Sequence, residues 1–71
     1  MNILKIPVKI YAGKVSSMDV ELPEGSTYID LLDTLKINPE TVIVFKNGTP
    51  VAVDSNVTSG NVDIMRVVSG G

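Results

Sequence analysis

Thr27-Tyr28-Ile29-Asp30-Leu31-Leu32-Asp33-Thr34-Leu35-Lys36 is the stretch whose apolar period differs from the rest of the chain. Tyr28, Leu31, Leu32 and Leu35 fall at helical spacing with Asp30, Asp33 and Thr34 opposite, the pattern of an amphipathic helix. Thr27 followed three residues later by Asp30 reads as an N-cap with an acid in the first turn, where the helix dipole favours it. The reading gives a helix from about Tyr28 to about Lys36, with Pro39 closing the helical region. A helix with one apolar face needs a sheet to bury it against.

The flanking segments supply that sheet. Ile3 to Tyr11 alternates, with Leu4, Ile6, Val8 and Ile10 on one face and Lys5 and Lys9 on the other, as a half-buried strand does. After the turn Ala12-Gly13-Lys14, Val15 to Leu22 reads as a second strand with Met18, Val20 and Leu22 on one face, and Pro23-Glu24-Gly25 ends it. Beyond the helix, Thr41 to Lys46 is a third strand, and Asn47-Gly48 marks a tight hairpin turn, because those residues accept the positive φ that its two central positions need. Thr49 to Val53 is a short fourth strand whose Pro50 suits a sheet edge. Asp54 to Asn61 is polar apart from Val57, expected to plug the bottom of the core, and Val62 to Val68 is the fifth strand. Hairpin, helix, short hairpin and last strand make an α+β domain: a mixed five-stranded sheet with one packed helix.

The 71 residues form one domain. A chain this short buries only about 60% of its unfolded surface, so its stability needs a dense apolar set. Hydrophobic residues are 44% of the chain and aromatics 4%, which makes the core one of Val, Ile and Leu. Cysteine and histidine are both absent. That removes disulfides, thiolate nucleophiles, the usual general base near neutral pH and the commonest metal ligand, so neither a catalyst acting alone nor a bound cofactor or metal is expected. A net charge of −2 provides no field to attract nucleic acid. Lys5 and Lys9 interrupt the apolar N-terminal stretch, which excludes a signal peptide or membrane span there. A soluble cytoplasmic protein, monomeric on its own, is the expectation.

Ser69-Gly70-Gly71 follows the last strand as a short tail beyond a domain of residues 1–68. With glycine near 7% of average usage, two terminal glycines occur by chance in roughly one chain in 200. A carboxylate behind two residues without Cβ can thread a narrow channel and reach a reagent held by another protein. The competing reading is a frayed end that happens to hold small residues.

Three pieces together, Thr27-Tyr28-Ile29-Asp30-Leu31-Leu32, Val44-Phe45-Lys46-Asn47-Gly48 leading into Pro50-Val51, and Asp63-Ile64-Met65-Arg66-Val67-Val68-Ser69-Gly70-Gly71, resemble the ubiquitin-like sulfur carriers of the β-grasp fold. That family holds the sulfur carriers of thiamine and molybdopterin synthesis, the tRNA-thiolation carrier and the archaeal small modifier proteins. The resemblance implies that a ubiquitin-activating-type adenylyltransferase uses ATP to adenylate the Gly71 carboxylate. A thiocarboxylate then forms, or the carbonyl passes to a lysine. Partners would be that enzyme together with a sulfur-donor or sulfur-accepting synthase, or target-protein lysines. Gly70 would serve access and Ser69 would be a spacer. Two places depart from the pattern: Pro7 lacks the N–H of a central strand, so a bulge or gap in pairing is expected there, and Ser59-Gly60-Asn61 stands where related carriers often have an acidic pair around the glycine.

Alternation places Arg66 on the face of Val62, Ile64 and Val68. Either the strand twists out of register at its end or the guanidinium snorkels to solvent, where it would meet an acidic groove of the activating enzyme or water alone. Taking Lys46 as an outward marker puts Val42 and Val44 outward and Ile43 and Phe45 inward. With Met65 and Val67, Val44 and Lys46 would then form an apolar partner-binding patch on the open side of the sheet. The opposite register makes these valines core, and periodicity cannot choose because both faces are apolar. Lys14, Lys36 and Lys46 are candidate isopeptide acceptors or ordinary surface lysines. The alternative to tail chemistry is a non-covalent β-grasp interaction or RNA-associated regulatory domain, against which the acidic balance and lack of a basic or aromatic stripe count.

Overall fold

A computed structural model describes residues 2–67. The elements run β1 (Ile3–Ala12), β2 (Lys14–Pro23), α1 (Tyr28–Thr34), a 3-10 turn (Pro39–Thr41), β3 (Val42–Lys46), β4 (Thr49–Val51) and β5 (Val62–Arg66). They form one five-stranded sheet in the order β2-β1-β5-β3-β4, with β1 and β5 parallel and the other pairs antiparallel. This is the expected mixed sheet, with Pro50 on the edge strand β4.

The core lies between α1 and one sheet face. Tyr28, Leu31 and Leu32 of the helix meet Ile6 and Val8 of β1, Val20 and Leu22 of β2, Val44 of β3, and Val62 and Ile64 of β5; Val57 closes one end and Leu35 packs at the margin. A seven-residue helix is too short to persist alone, and its orphan amides are all accounted for. Thr27 N–H donates to Asp30 Oδ2 at 2.9 Å, and Asp30 N–H to Thr27 Oγ1 at 3.3 Å, which completes the capping box. Tyr28 N–H donates to the Ser55 carbonyl and Ile29 N–H to the Val53 carbonyl, at 3.1 and 2.9 Å. These bonds explain why β4 stops at Val51 and not Val53: the chain beyond it bends to cap the helix.

The helix ends earlier than its apolar period, at Thr34 with Leu35 as C-cap. Lys36 N–H donates to the Asp33 carbonyl and Ile37 N–H to the Leu32 carbonyl, at 3.0 and 2.9 Å, the paired bonds of a Schellman ending. Lys36 carries its left-handed residue at φ 59°, a place that glycine usually fills. The third strand likewise begins one residue late, because Thr41 closes the 3-10 turn started by Pro39. At the predicted hairpin turn, Asn47 and Gly48 have φ of 51° and 81°, as the two-residue turn requires. Pro7 causes no bulge: the β1–β2 register runs through Pro7 and Asp19, and the parallel ladder with β5 starts one residue later, at Val8 and Val62.

β3 has the face assignment opposite to the one drawn from Lys46. Val44 pairs with Ile64 and is 1% exposed, inside the core, while Ile43 pairs with Met65 on the open face and is 41% exposed. Val42 packs against the core margin and Phe45 is half-buried on the open face opposite Asp63. Lys46 shares the helix-side face as its strand ends, and its Nζ donates to Thr58 Oγ1. A lysine at a strand end can lay its stem along the core rim and send its charge past it.

Two stability measurements test this packing. Leu32→Ala should cost about 2–4 kcal/mol, since Leu32 is fully buried and the core is thin; a loss below about 0.5 kcal/mol would mean the helix face is misassigned. Lys36→Gly should instead gain about 0.5–1 kcal/mol by relieving the left-handed strain. Denaturant titration reads both, and a destabilised Lys36→Gly would show that the side chain contributes more to the fold than its backbone costs.

Candidate functional site

β5 lies at the middle of the sheet, between β1 and β3, so whatever follows it leaves from the centre of one sheet end. The final backbone bond described is Val67 N–H to the Thr41 carbonyl at 2.9 Å, which pins the base of the tail to the entry of β3. Val68, Ser69, Gly70 and Gly71 lie outside the described residues, and with them the residue assigned the chemistry and its spacer.

On the open face, the pairing registers align Val15, Tyr11, Met65 and Ile43 side by side across β2, β1, β5 and β3. Val15, Met65 and Ile43 are exposed and Tyr11 is half-buried, so this is an apolar stripe that no described element covers. Val67, 50% exposed, adds to it just past the strand. The next row holds Ser17, Lys9, Asp63, Phe45 and Pro50, with one charge of each sign at its centre.

Of the five residues expected to form the partner surface, Met65 and Val67 are at the open face near the tail, Val44 is core, and Lys46 is at the far end of β3 on the helix side. There Lys46 takes part in a polar tie with Thr58, whose side chain also hydrogen-bonds Tyr28. Burial pushes the Tyr28 hydroxyl above its ordinary value, and the Thr58 bond pulls partly back. Gly60 sits close by, where an added Cβ would come within 3.1 Å of Lys46 Cε. Arg66 keeps the helix-side alternation of Val62 and Ile64 but is exposed. It pairs with Val42 and lines a cleft of about 340 Å³ with Lys36.

Ile43, Tyr11 and Val15 are the open-face stripe residues that sequence reasoning missed. A signal for Ile43 was present: a two-residue Asn47-Gly48 turn pairs Val44 with Val51 and Phe45 with Pro50. Two valines make the better core pair.

Comparison with known proteins agrees with this geometry. The family described as small archaeal modifier protein 2 matches residues 4–68. An uncharacterized protein of Archaeoglobus fulgidus is 40% identical over 68 residues, covering 96% of this chain and 100% of its own. Small archaeal modifier protein 2 of Haloferax volcanii is 28% identical over 68 residues with the same coverage. The solved structure of Caldiarchaeum subterraneum ubiquitin superposes at a TM-score of 0.73 with 16% identity, covering 99% of this chain and 100% of its own, which makes the fold ubiquitin-like. With a capped helix across a β2-β1-β5-β3-β4 sheet and a family match over almost its whole length, the chain belongs to the small archaeal modifier protein 2 family.

Proposed function

We propose that this chain is a ubiquitin-like modifier or sulfur carrier that reacts through the carboxylate of Gly71, and that it is the substrate of an activating enzyme and not itself a catalyst. The observation that carries the reading is the position of the tail base: β5 ends at the sheet centre beside an uncovered apolar stripe, and two glycines follow a few residues later. A free carboxylate is a poor acyl donor. Attack of its oxygen on the α-phosphorus of ATP, with loss of pyrophosphate, gives an acyl adenylate. Hydrosulfide or a lysine amine then displaces AMP to give a thiocarboxylate or an isopeptide, the attacking sulfur or nitrogen losing a proton. The family's modifier name supports the lysine route, and the same adenylate serves the sulfur route. An ATP-consuming partner fits a cytoplasmic setting.

The partner must also hold the body of the domain. From Val67 to Gly71 the chain spans at most about 13 Å when extended, so an enzyme that receives the carboxylate lies against the sheet end. The open stripe of Tyr11, Ile43 and Met65, with Val67 at its edge, is the surface it would cover.

Incubation with ATP, the ubiquitin-activating-type enzyme of the same genome and a sulfide donor should shift the intact mass by an oxygen-for-sulfur exchange at the C-terminus. Deleting Gly71, or Gly70→Val, should abolish adenylate formation with an unchanged melting temperature, because the tail needs backbone freedom and narrow girth; full activity of Gly70→Val would sink the threading argument. Met65→Asp should weaken enzyme binding about tenfold or more in a folded protein, because a carboxylate would be desolvated against an apolar surface. Val44→Asp should instead unfold the domain, as its side chain is core. A folded Met65→Asp protein that binds normally would move the docking surface elsewhere.

A further inference from the structure

Lys36 breaks a local rule. It holds the left-handed C′ position of a Schellman ending, where a Cβ is strained and glycine is the usual choice. Asn47 is the other described non-glycine residue at positive φ, and it occupies a hairpin turn that suits asparagine. The last turn holds no basic residue, so Lys36 is also the cation next to the helix C-terminus, but a cation within that turn would serve the dipole without a left-handed backbone. Backbone strain that persists against an available relief points to use of the side chain.

Lys36 lines the helix-side cleft at the base of the tail. Arg66 lines it too, along with apolar Ile37 and Val42 and polar Asn38 and Thr41, and none of the described lining residues is acidic. Two of the chain's six basic residues therefore meet at one place on a protein of net charge −2. That place is on the opposite sheet face from the apolar stripe, with the end of β5 between them. We infer that the cleft takes an acidic segment of the activating partner, an Asp or Glu side chain flanked by an apolar one, and that the enzyme grips the end of β5 from both faces. This deepens the proposed reaction at Gly71 and rests on it. Complementary charge gives orientation and partner choice more than raw affinity, which is what a short tether to a reacting carboxylate needs.

The experiment measures binding of the ubiquitin-activating-type enzyme of the same genome to the full chain, with adenylate formation followed in parallel. Lys36→Glu should weaken binding roughly tenfold. Lys36→Gly should weaken it about threefold while raising the melting temperature, so that stability and docking move in opposite directions. Lys5→Glu makes the same charge change near the other end of β1 and should bind as the unaltered chain does. Added salt should narrow the gap between the unaltered chain and Lys36→Glu. Lys36→Gly answers the question even if Lys36→Glu folds poorly. Normal binding by Lys36→Gly and by a folded Lys36→Glu, with adenylate formed, overturns the cleft and leaves the tail chemistry standing. Loss of binding in both variants, when the unaltered chain binds but forms no adenylate, overturns the tail chemistry and leaves the cleft. Equal losses in Lys5→Glu, or Lys36-dependent binding of a single-stranded RNA oligonucleotide in place of the enzyme, overturn it as well.

Discussion

A seven-residue helix has almost no stability of its own in water, and the rest of this fold depends on making it persist. Its buried face supplies Tyr28, Leu31 and Leu32, three of the largest fully buried side chains. That face can be laid down only if the helix start is fixed in angle and depth. The fixing comes from distant chain: carbonyls of Val53 and Ser55 accept the first two helix amides, Val57 N–H donates back to the Ser26 carbonyl at 2.7 Å, and Asn56 Nδ2 donates to the Gly25 carbonyl at 2.8 Å. A segment without helix or strand of its own thereby becomes a structural clamp. Val57, buried at its end, couples the clamp to the core. Loosening the 53–57 segment would free four backbone groups at the helix start, those of Gly25, Ser26, Tyr28 and Ile29, and the base of the core together.

The same arrangement sets where β5 ends. Once α1 covers one face, the chain must bring β5 in parallel to β1 and antiparallel to β3, which leaves β5 central and its end flanked on both sides by paired strands. A tail leaving an edge strand would swing with that edge. This one leaves a point held by ladders on both sides and by the Val67 to Thr41 bond. The proposed reaction at Gly71 would draw on a strand end fixed in this way, since a held base limits where a short tether can reach.

Periodicity and punctuation made most of the fold legible. Alternation in Ile3 to Tyr11, the stripe of Tyr28, Leu31, Leu32 and Leu35, Asn47-Gly48 and Pro50 each depend on local steric rules that tertiary context did not override. Legibility failed where a residue's local signal and its position disagreed. Lys46 was read as marking a wet face, but a strand-end lysine can belong to the buried face and still reach polar company, here the Thr58 hydroxyl. That single inference turned β3 over and exchanged Val44 for Ile43 on the open surface. Pro7 was half legible: it makes no bulge against β2, yet it stands outside the ladder with β5. Its missing N–H matters only where a ladder needs it, and the pairing with β5 begins one residue later. Of the candidate surface, Met65 and Val67 were legible from their distance to the tail. Lys36 was legible only as a lysine, since nothing in the sequence shows that its backbone is left-handed.

Ubiquitin-like folding at 16% identity and a TM-score of 0.73 shows how little of this architecture depends on particular residues. Core positions ask for volume and apolarity, and many sequences satisfy them. The positions the fold leaves free are the open stripe and the rim where α1 ends and β5 runs out, and the proposed partner contacts draw on those. Lys36 differs from its neighbours there because the fold does not leave it free. A glycine would serve the backbone better, so a lysine at that position opposes the fold's own preference. A surface residue that only tolerated its place would carry no such cost. The left-handed backbone is what sets Lys36 apart from the ordinary exposed lysines, and the proposed role of its charge in docking rests on that difference.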